Sequence, residues 1–220
     1  TKFDLVAELS LIEDLKIDIN ANRVYSENFS ENFIITDNQY NSLSPNSFGN
    51  FAISTILIKT SFKKSDENES ITFNNFQNNR LIIANRLALI NGNSGGGIDE
   101  FGYPLGYGKN NQAVLIPAFI SAYSGQDPSS ISLSAIRSTP LPNWSLQYNG
   151  LINLEFFKER FKRFSIGHSY RSSYTLNSFK SNLEFDLEDL SLKDVSGNFL
   201  NEILYTNINL VEQFNPLLKI

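Results

Sequence analysis

Apolar and polar residues alternate with a period of two in five stretches of the chain. In the first, Phe3, Leu5, Ala7, Leu9 and Leu11 fall on one side and Lys2, Asp4, Glu8 and Ser10 on the other. In the second, Ile17, Ile19 and Ala21 alternate with Lys16, Asp18, Asn20 and Asn22. Trp144, Leu146 and Tyr148 alternate with Asn143, Ser145, Gln147 and Asn149. Phe164, Ile166 and Tyr170 alternate with Ser165, Gly167, Ser169 and Arg171, and Leu204, Ile208 and Leu210 with Tyr205, Asn207 and Asn209. Successive side chains of a strand point to opposite faces, so each stretch predicts a strand with one oily and one wet side. Stretches near ten residues exceed the ~5–6 of an ordinary soluble strand and suit one that crosses a membrane. Soluble sandwiches alternate in the same way, so periodicity alone leaves both open.

The connections are of two kinds. Residues 12–15, centred on Glu13 and Asp14, and residues 213–216 predict short turns, with Ile220 in what reads as a following strand. In residues 150–163, Leu154, Phe157, Phe161 and Phe164 recur among charged neighbours at helical spacing, which predicts a short amphipathic helix at a membrane surface. The other links are long. Residues 27–140 carry helix patterns over about 73–90 and 113–124, the second with Pro117 near its first turn and Gly125 as its stop. Between them runs a Gly-rich loop, 91–111, containing Gly95, Gly96 and Gly97. Residues 176–200 predict another polar excursion. Short turns at one rim and long loops at the other are the habit of outer-membrane barrels.

The expected fold is therefore all-β: a barrel hairpin in 1–26, an extracellular cap with two short helices in 27–140, and barrel strands with one long extracellular loop in 141–220. This topology requires that Phe51–Ile58 is not a full crossing. Both of its faces are apolar, which predicts burial under protein in the cap. By parity the pore-lining candidates are Lys16, Asp18, Asn20, Asn22, Asn143, Ser145, Gln147, Ser169, Arg171, Asn207 and Asn209. The lipid-facing candidates are Ile17, Ile19, Ala21, Trp144, Leu146, Tyr148, Phe164, Ile166, Leu204, Ile208 and Leu210. Arg23 shares the oily parity; Lys16 to Arg23 spans ~27 Å of strand, or ~20 Å of height at a 40° tilt, which puts Arg23 near an interface. His168 also shares that parity near the middle of its strand; a neutral imidazole facing a protein neighbour would resolve the conflict, and the sequence does not choose between this and a lipid-facing side chain.

Charged residues are 19% of the chain, below the ~25% of soluble domains, and the net charge of −5 gives no reason to expect nucleic acid. No cysteine is present, which excludes disulfides and thiolate chemistry. No apolar run approaches the ~18 residues of a transmembrane helix, and no signal-peptide pattern opens the sequence. The chain reads as an internal segment of a longer polypeptide. His168 is the only histidine, so no histidine metal cluster is available and no catalytic constellation stands out. No enzymatic activity, cofactor or metal is expected. The acidic group Glu184, Asp186, Glu188 and Asp189 suits a solvated loop better than a calcium site. Gly106 to Lys109 lacks the spacing of a phosphate loop. Tyr103, Tyr107 and Trp144 could stack on sugars, although interface anchoring explains Trp144 more simply.

The strings LKIDINANRVYSENFSE (15–31), NRLIIANRLA (79–88), FGYPLGYGKNNQAVLIPAFISAYSG (101–125), LPNWSLQYNGL (141–151), HSYRSSYTLNSF (168–179) and EQFNPL (212–217) resemble the SprA/Sov family. Its members are giant outer-membrane translocons of the Bacteroidetes type 9 secretion system. The resemblance runs through the whole chain and matches the C-terminal side of the family. It implies a segment of a very large single-chain transmembrane antiparallel β-barrel with helix-containing extracellular loops, located in the cell outer membrane. It further implies export of folded proteins bearing a C-terminal sorting domain, through a barrel whose lateral opening is covered by a PorV-type shuttle barrel or a plug protein. In gliding members it implies a role in secreting surface adhesins. An outer-membrane solute channel and a soluble β-rich adhesin module are the alternative expectations.

Overall fold

A computed structural model describes residues 1–92 and 96–220. Gly95 of the expected Gly-rich loop lies outside the described residues. Strand β1 (Lys2–Leu9) turns at Glu13 and Asp14 into β2 (Leu15–Thr36), and the two pair antiparallel from Lys2↔Val24 to Leu9↔Ile17. Strand β2 is 22 residues long and does not end near residue 26. It continues to a two-residue turn at Asp37 and Asn38, whose φ of 52° and 60° suit the twist of a tight hairpin. Strand β3 (Gln39–Ser54) returns along it. The sheet thus includes residues 27–54, which the pattern assigned to the cap. Apolar side chains on both faces (Phe33, Ile34 and Ile35 in succession) and a register shift between Ser30 and Asn32 hide the alternation there.

Strand β3 stops at mid-sheet. Strand β4 (Asn143–Tyr148) then occupies the same column: β2 pairs β3 through residues 23–36 and β4 through residues 15–20. On the other side β5 (Ile166–Ser181) pairs β4 through residues 166–170 and β3 through 173–180. Strand β6 (Ile203–Phe214) completes the row. The result is an up-and-down antiparallel meander of five columns, β1, β2, β3 with β4, β5 and β6, with β1 and β6 as its open edges. Side chains close the break in the third column. Ser54 Oγ accepts from the Asn22 amide at 3.0 Å, and Asn143 Oδ1 accepts from the Ser172 amide at 2.7 Å. The backbone groups that the missing ladder would orphan are thereby satisfied.

Residues 55–142, inserted at that break, cover part of one sheet face. Helix α1 (Ile71–Ile90) starts at Ser70, whose hydroxyl accepts from the Phe73 amide. Helix α2 (Gln112–Ser124) starts at Asn111, whose side chain accepts from the Ala113 amide, and stops at Gly125 with φ 66°. Pro117 lies inside α2, not in its first turn. Ile83, Ile116, Ile120 and Ile131 pack on Phe51, Ile53, Tyr174 and Leu176 of the sheet, with Ile208 and Leu210 at the margin. Phe51 and Ile53 are thus buried as the sheet's own core and not inside a separate cap. A second cluster of Ala84, Ala88, Tyr103, Tyr107 and Val114 receives Phe199 from the β5–β6 connection. The amide of Phe199 donates to the Gly106 carbonyl at 2.9 Å, tying that long connection to the insertion.

The link after β4 forms a 3₁₀ turn (Gly150–Asn153) and a single helical turn, α3 (Glu155–Lys158). Phe164 precedes β5 and joins Phe157 and Phe161 in an aromatic cluster, with centroids 4.5 and 5.3 Å away. It is therefore not a strand position. Residues 215–218 likewise do not turn into a new strand. The Gly167 amide donates to the Lys219 carbonyl at 2.9 Å, so the chain stays beside β5 as a bulged continuation of β6.

Candidate functional site

The two faces of the sheet differ in kind. On one face Asp4 and Glu8 (β1), Lys16, Asp18, Asn20 and Asn22 (β2), Ser145 and Gln147 (β4), Ser169 and Arg171 (β5) and Asn209 (β6) stand in register, interrupted by Val6, Val24 and Val211. Lys16 lies 3.8 Å from Glu8 and 4.0 Å from Asp18. Such exposed pairs contribute about 0–1 kcal/mol, so their effect is a wet surface and not stability. Asn143 shares the parity but is buried on the Ser172 amide, so its role is to close the column. Asn207 pairs with Ser178 beside a register shift and is exposed.

The opposite face carries Phe3, Leu5, Ala7 and Leu9, then Ile17, Ile19 and Ala21, then Trp144, Leu146 and Tyr148, then Ile166. The insertion leaves most of this belt uncovered: Phe3 is 49% and Leu5 47% exposed. Ala21, assigned to lipid by parity, is buried among its neighbours. Farther along the columns the same face disappears beneath the insertion, so Ile208 and Leu210 pack against protein. Leu204 leaves the apolar set altogether. Register shifts around Ser178 pair it with Lys180, while Tyr205 pairs with Phe179 and joins the core.

The border between the uncovered and covered parts is polar. Arg23 Nε donates to the Arg137 carbonyl at 2.9 Å, and its guanidinium lies 5.2 Å from the Phe51 ring centre. At β5 the border falls lower: Tyr170 is fully buried, stacks on Trp144 at 4.5 Å, and donates to Glu212 Oε1 at 2.6 Å. His168 Nδ1 lies 2.6 Å from the Leu217 carbonyl, so a protein neighbour does accompany the imidazole.

Helices α1 and α2 stand on the apolar side of the sheet and do not overhang the polar face. The acidic residues 184–189 do not converge. Asp186 Oδ1 accepts from the Glu188 amide, while Asp189 is held below the usual carboxylate range by the Ser191 hydroxyl and amide. No group of three metal-ligating side chains occurs among the described residues. The pattern reading missed Arg137, which lines a cavity of about 500 Å³ between the insertion and the sheet. A signal for it exists, because Arg137 is the only charged residue between Asp127 and Glu155.

The chain matches no protein-family model and no curated protein.

Proposed function

We propose that this sheet is part of the wall of a protein-conducting channel in the outer membrane, of the SprA/Sov kind, which exports folded proteins carrying a C-terminal sorting domain. The observation that carries the reading is an antiparallel meander with one wet face, one oily face and two unpaired edges. An exposed edge such as β1, with Phe3 and Leu5 bare, is a template for a further strand. Closure into a barrel is the arrangement that satisfies such edges in lipid. Along β2 the uncovered belt from Lys16 to Arg23 is ~27 Å of strand, about 20 Å of height when tilted, against a ~25 Å apolar band in outer-membrane barrels. The reverse orientation is disfavoured, because it would set Asp18, Asn20, Ser145 and Gln147 against hydrocarbon.

In this orientation Asn, Ser and Gln side chains line water in a wide tube, and a folded cargo finds few apolar patches on which to adsorb. The insertion then stands on the lipid side of the wall, above the hydrocarbon, and not across the exit. A PorV-type shuttle barrel and a plug protein are the proposed partners at a lateral opening, and the step is transport without chemistry. Photo-crosslinking in secreting cells tests the reading. In the full-length protein, a crosslinking residue at Asn20 or Gln147 is expected to capture a reporter that carries the sorting domain. The same residue at Ile19 or Leu146 is expected to capture none. Absence of reporter adducts from both polar-face sites, in cells that export the reporter normally, would refute the proposal.

A further inference from the structure

Arg137 is held in place through its backbone, while two N–H groups of its head stay unpaired. Arg86 Nη1 donates to the carbonyls of Pro128 and Ile131 at 2.7 and 2.9 Å, and Tyr174 Oη donates to that of Ala135 at 2.9 Å. Arg23 Nε donates to the carbonyl of Arg137 itself at 2.9 Å. Segment 128–137 is thus pinned at four carbonyls by side chains of the sheet and of α1. The guanidinium Nε and Nη2 of Arg137 are both buried, and neither has a hydrogen-bond partner. These two N–H groups can share one edge of the planar guanidinium, the fork that matches a carboxylate through two parallel hydrogen bonds.

Arg137 is among the residues that line a cavity of about 500 Å³ between the insertion and the sheet. Its lining includes the hydroxyl-bearing residues Thr55, Ser132 and Thr139 together with Ile53, Ile120 and Tyr174. No aspartate or glutamate forms an ion pair with Arg137 among the described residues. Burial pushes its pKa down with no carboxylate to oppose the shift. Arginine stays charged regardless, so a bound anion removes a standing desolvation penalty. One cation, neutral hydroxyls and an apolar wall suit a single negative charge on an apolar body better than a phosphate.

We propose that the Arg137 cavity binds a carboxylate borne on a small apolar peptide unit. The unit is either a peptide C-terminus or an acidic side chain within a peptide. The inference does not depend on which medium meets the sheet. The test uses the full chain in detergent micelles and follows the arginine Nε–H resonances by nitrogen-15 NMR. The probes are N-acetyl-leucine, N-acetyl-glutamate α-N-methylamide, neutral N-acetyl-leucinamide and inorganic phosphate. At least one of the two carboxylate probes is expected to shift the Arg137 resonance and to bind at least about tenfold more tightly than leucinamide. The tighter acid identifies the source. Arg137→Lys, which keeps the charge but loses the fork, is expected to weaken that binding about tenfold, and Arg137→Gln by more. If Arg137→Gln does not fold, Arg137→Lys carries the test. The proposal fails if neither acid shifts the resonance up to about 10 mM, if leucinamide or phosphate binds as tightly, or if Arg137→Lys binds unchanged.

Discussion

Heating the Gly49→Ala variant in detergent micelles is expected to unfold it some 6–12 °C below the parent chain, corresponding to about 3 kcal/mol of lost stability. Gly49 lies in β3 opposite Glu27 of β2, and next to it in the sheet stands Phe179 of β5. A Cβ at this position would stand 2.0 Å from the Ser26 carbonyl oxygen and 2.7 Å from the tip of the Phe179 ring. The oxygen belongs to a backbone that cannot give way without breaking the β2–β3 ladder. Phe179 is fully buried and stacks on Tyr25 at 5.6 Å, so it has no free rotamer to yield. Gly167→Ala is the matched control in the same sheet. Its Cβ would meet nothing closer than 3.7 Å, and its melting point should stay within ~2 °C of the parent. Circular dichroism during heating measures both, and coincident curves for the two variants would contradict the register described here.

The second large effect concerns the uncovered face. Leu146 lies on the belt between Ile17 of β2 and His168 of β5. Under the proposed function it meets hydrocarbon between the interface and the midplane, so Leu146→Arg should reduce folding into lipid vesicles by about 1–2 kcal/mol, a ~5- to 30-fold change in the folding equilibrium. Gln147→Arg, one residue along and on the wet face, should change it by less than about 0.5 kcal/mol. On a soluble sheet both changes would fall at water-exposed positions and the difference would vanish. Titration of vesicle-folded chain with urea reads the two values directly.

Much of the architecture is written locally in the sequence, and the missed parts have physical causes. Both long helices are legible from their local pattern, and Gly125, read as the stop of the second, takes the left-handed conformation there; the capping side chains Ser70 and Asn111 emerge only in the structure. The β1–β2 hairpin and β4 are legible because one face of each is wet. The outer part of β2 is not, since apolar residues occupy both of its faces there and a register shift near Glu31 breaks the alternation. The same kind of irregularity around Ser178 moves Leu204 off the oily face. That β3 and β4 form one interrupted column is invisible locally. The break is repaired by Ser54 and Asn143, whose side-chain hydrogen bonds reach residues far away in the chain. Parity therefore assigns Asn143 to a lining that it does not serve. Parity also cannot foresee that a helical insertion covers Ile208 and Leu210 while sparing Leu146.

Spin-label accessibility in bilayers tests the division between the two faces most directly, because the chain has no cysteine and each label can be introduced alone. Labels at Ile19 and Leu146 should relax with dissolved oxygen and resist a polar nickel chelate. Labels at Asn20 and Gln147 should show the reverse, and one at Leu210 should be shielded from both. Equal access of the chelate to all four belt-level positions would mean that no hydrocarbon meets the oily face, and the account of this sheet as a membrane wall would be wrong.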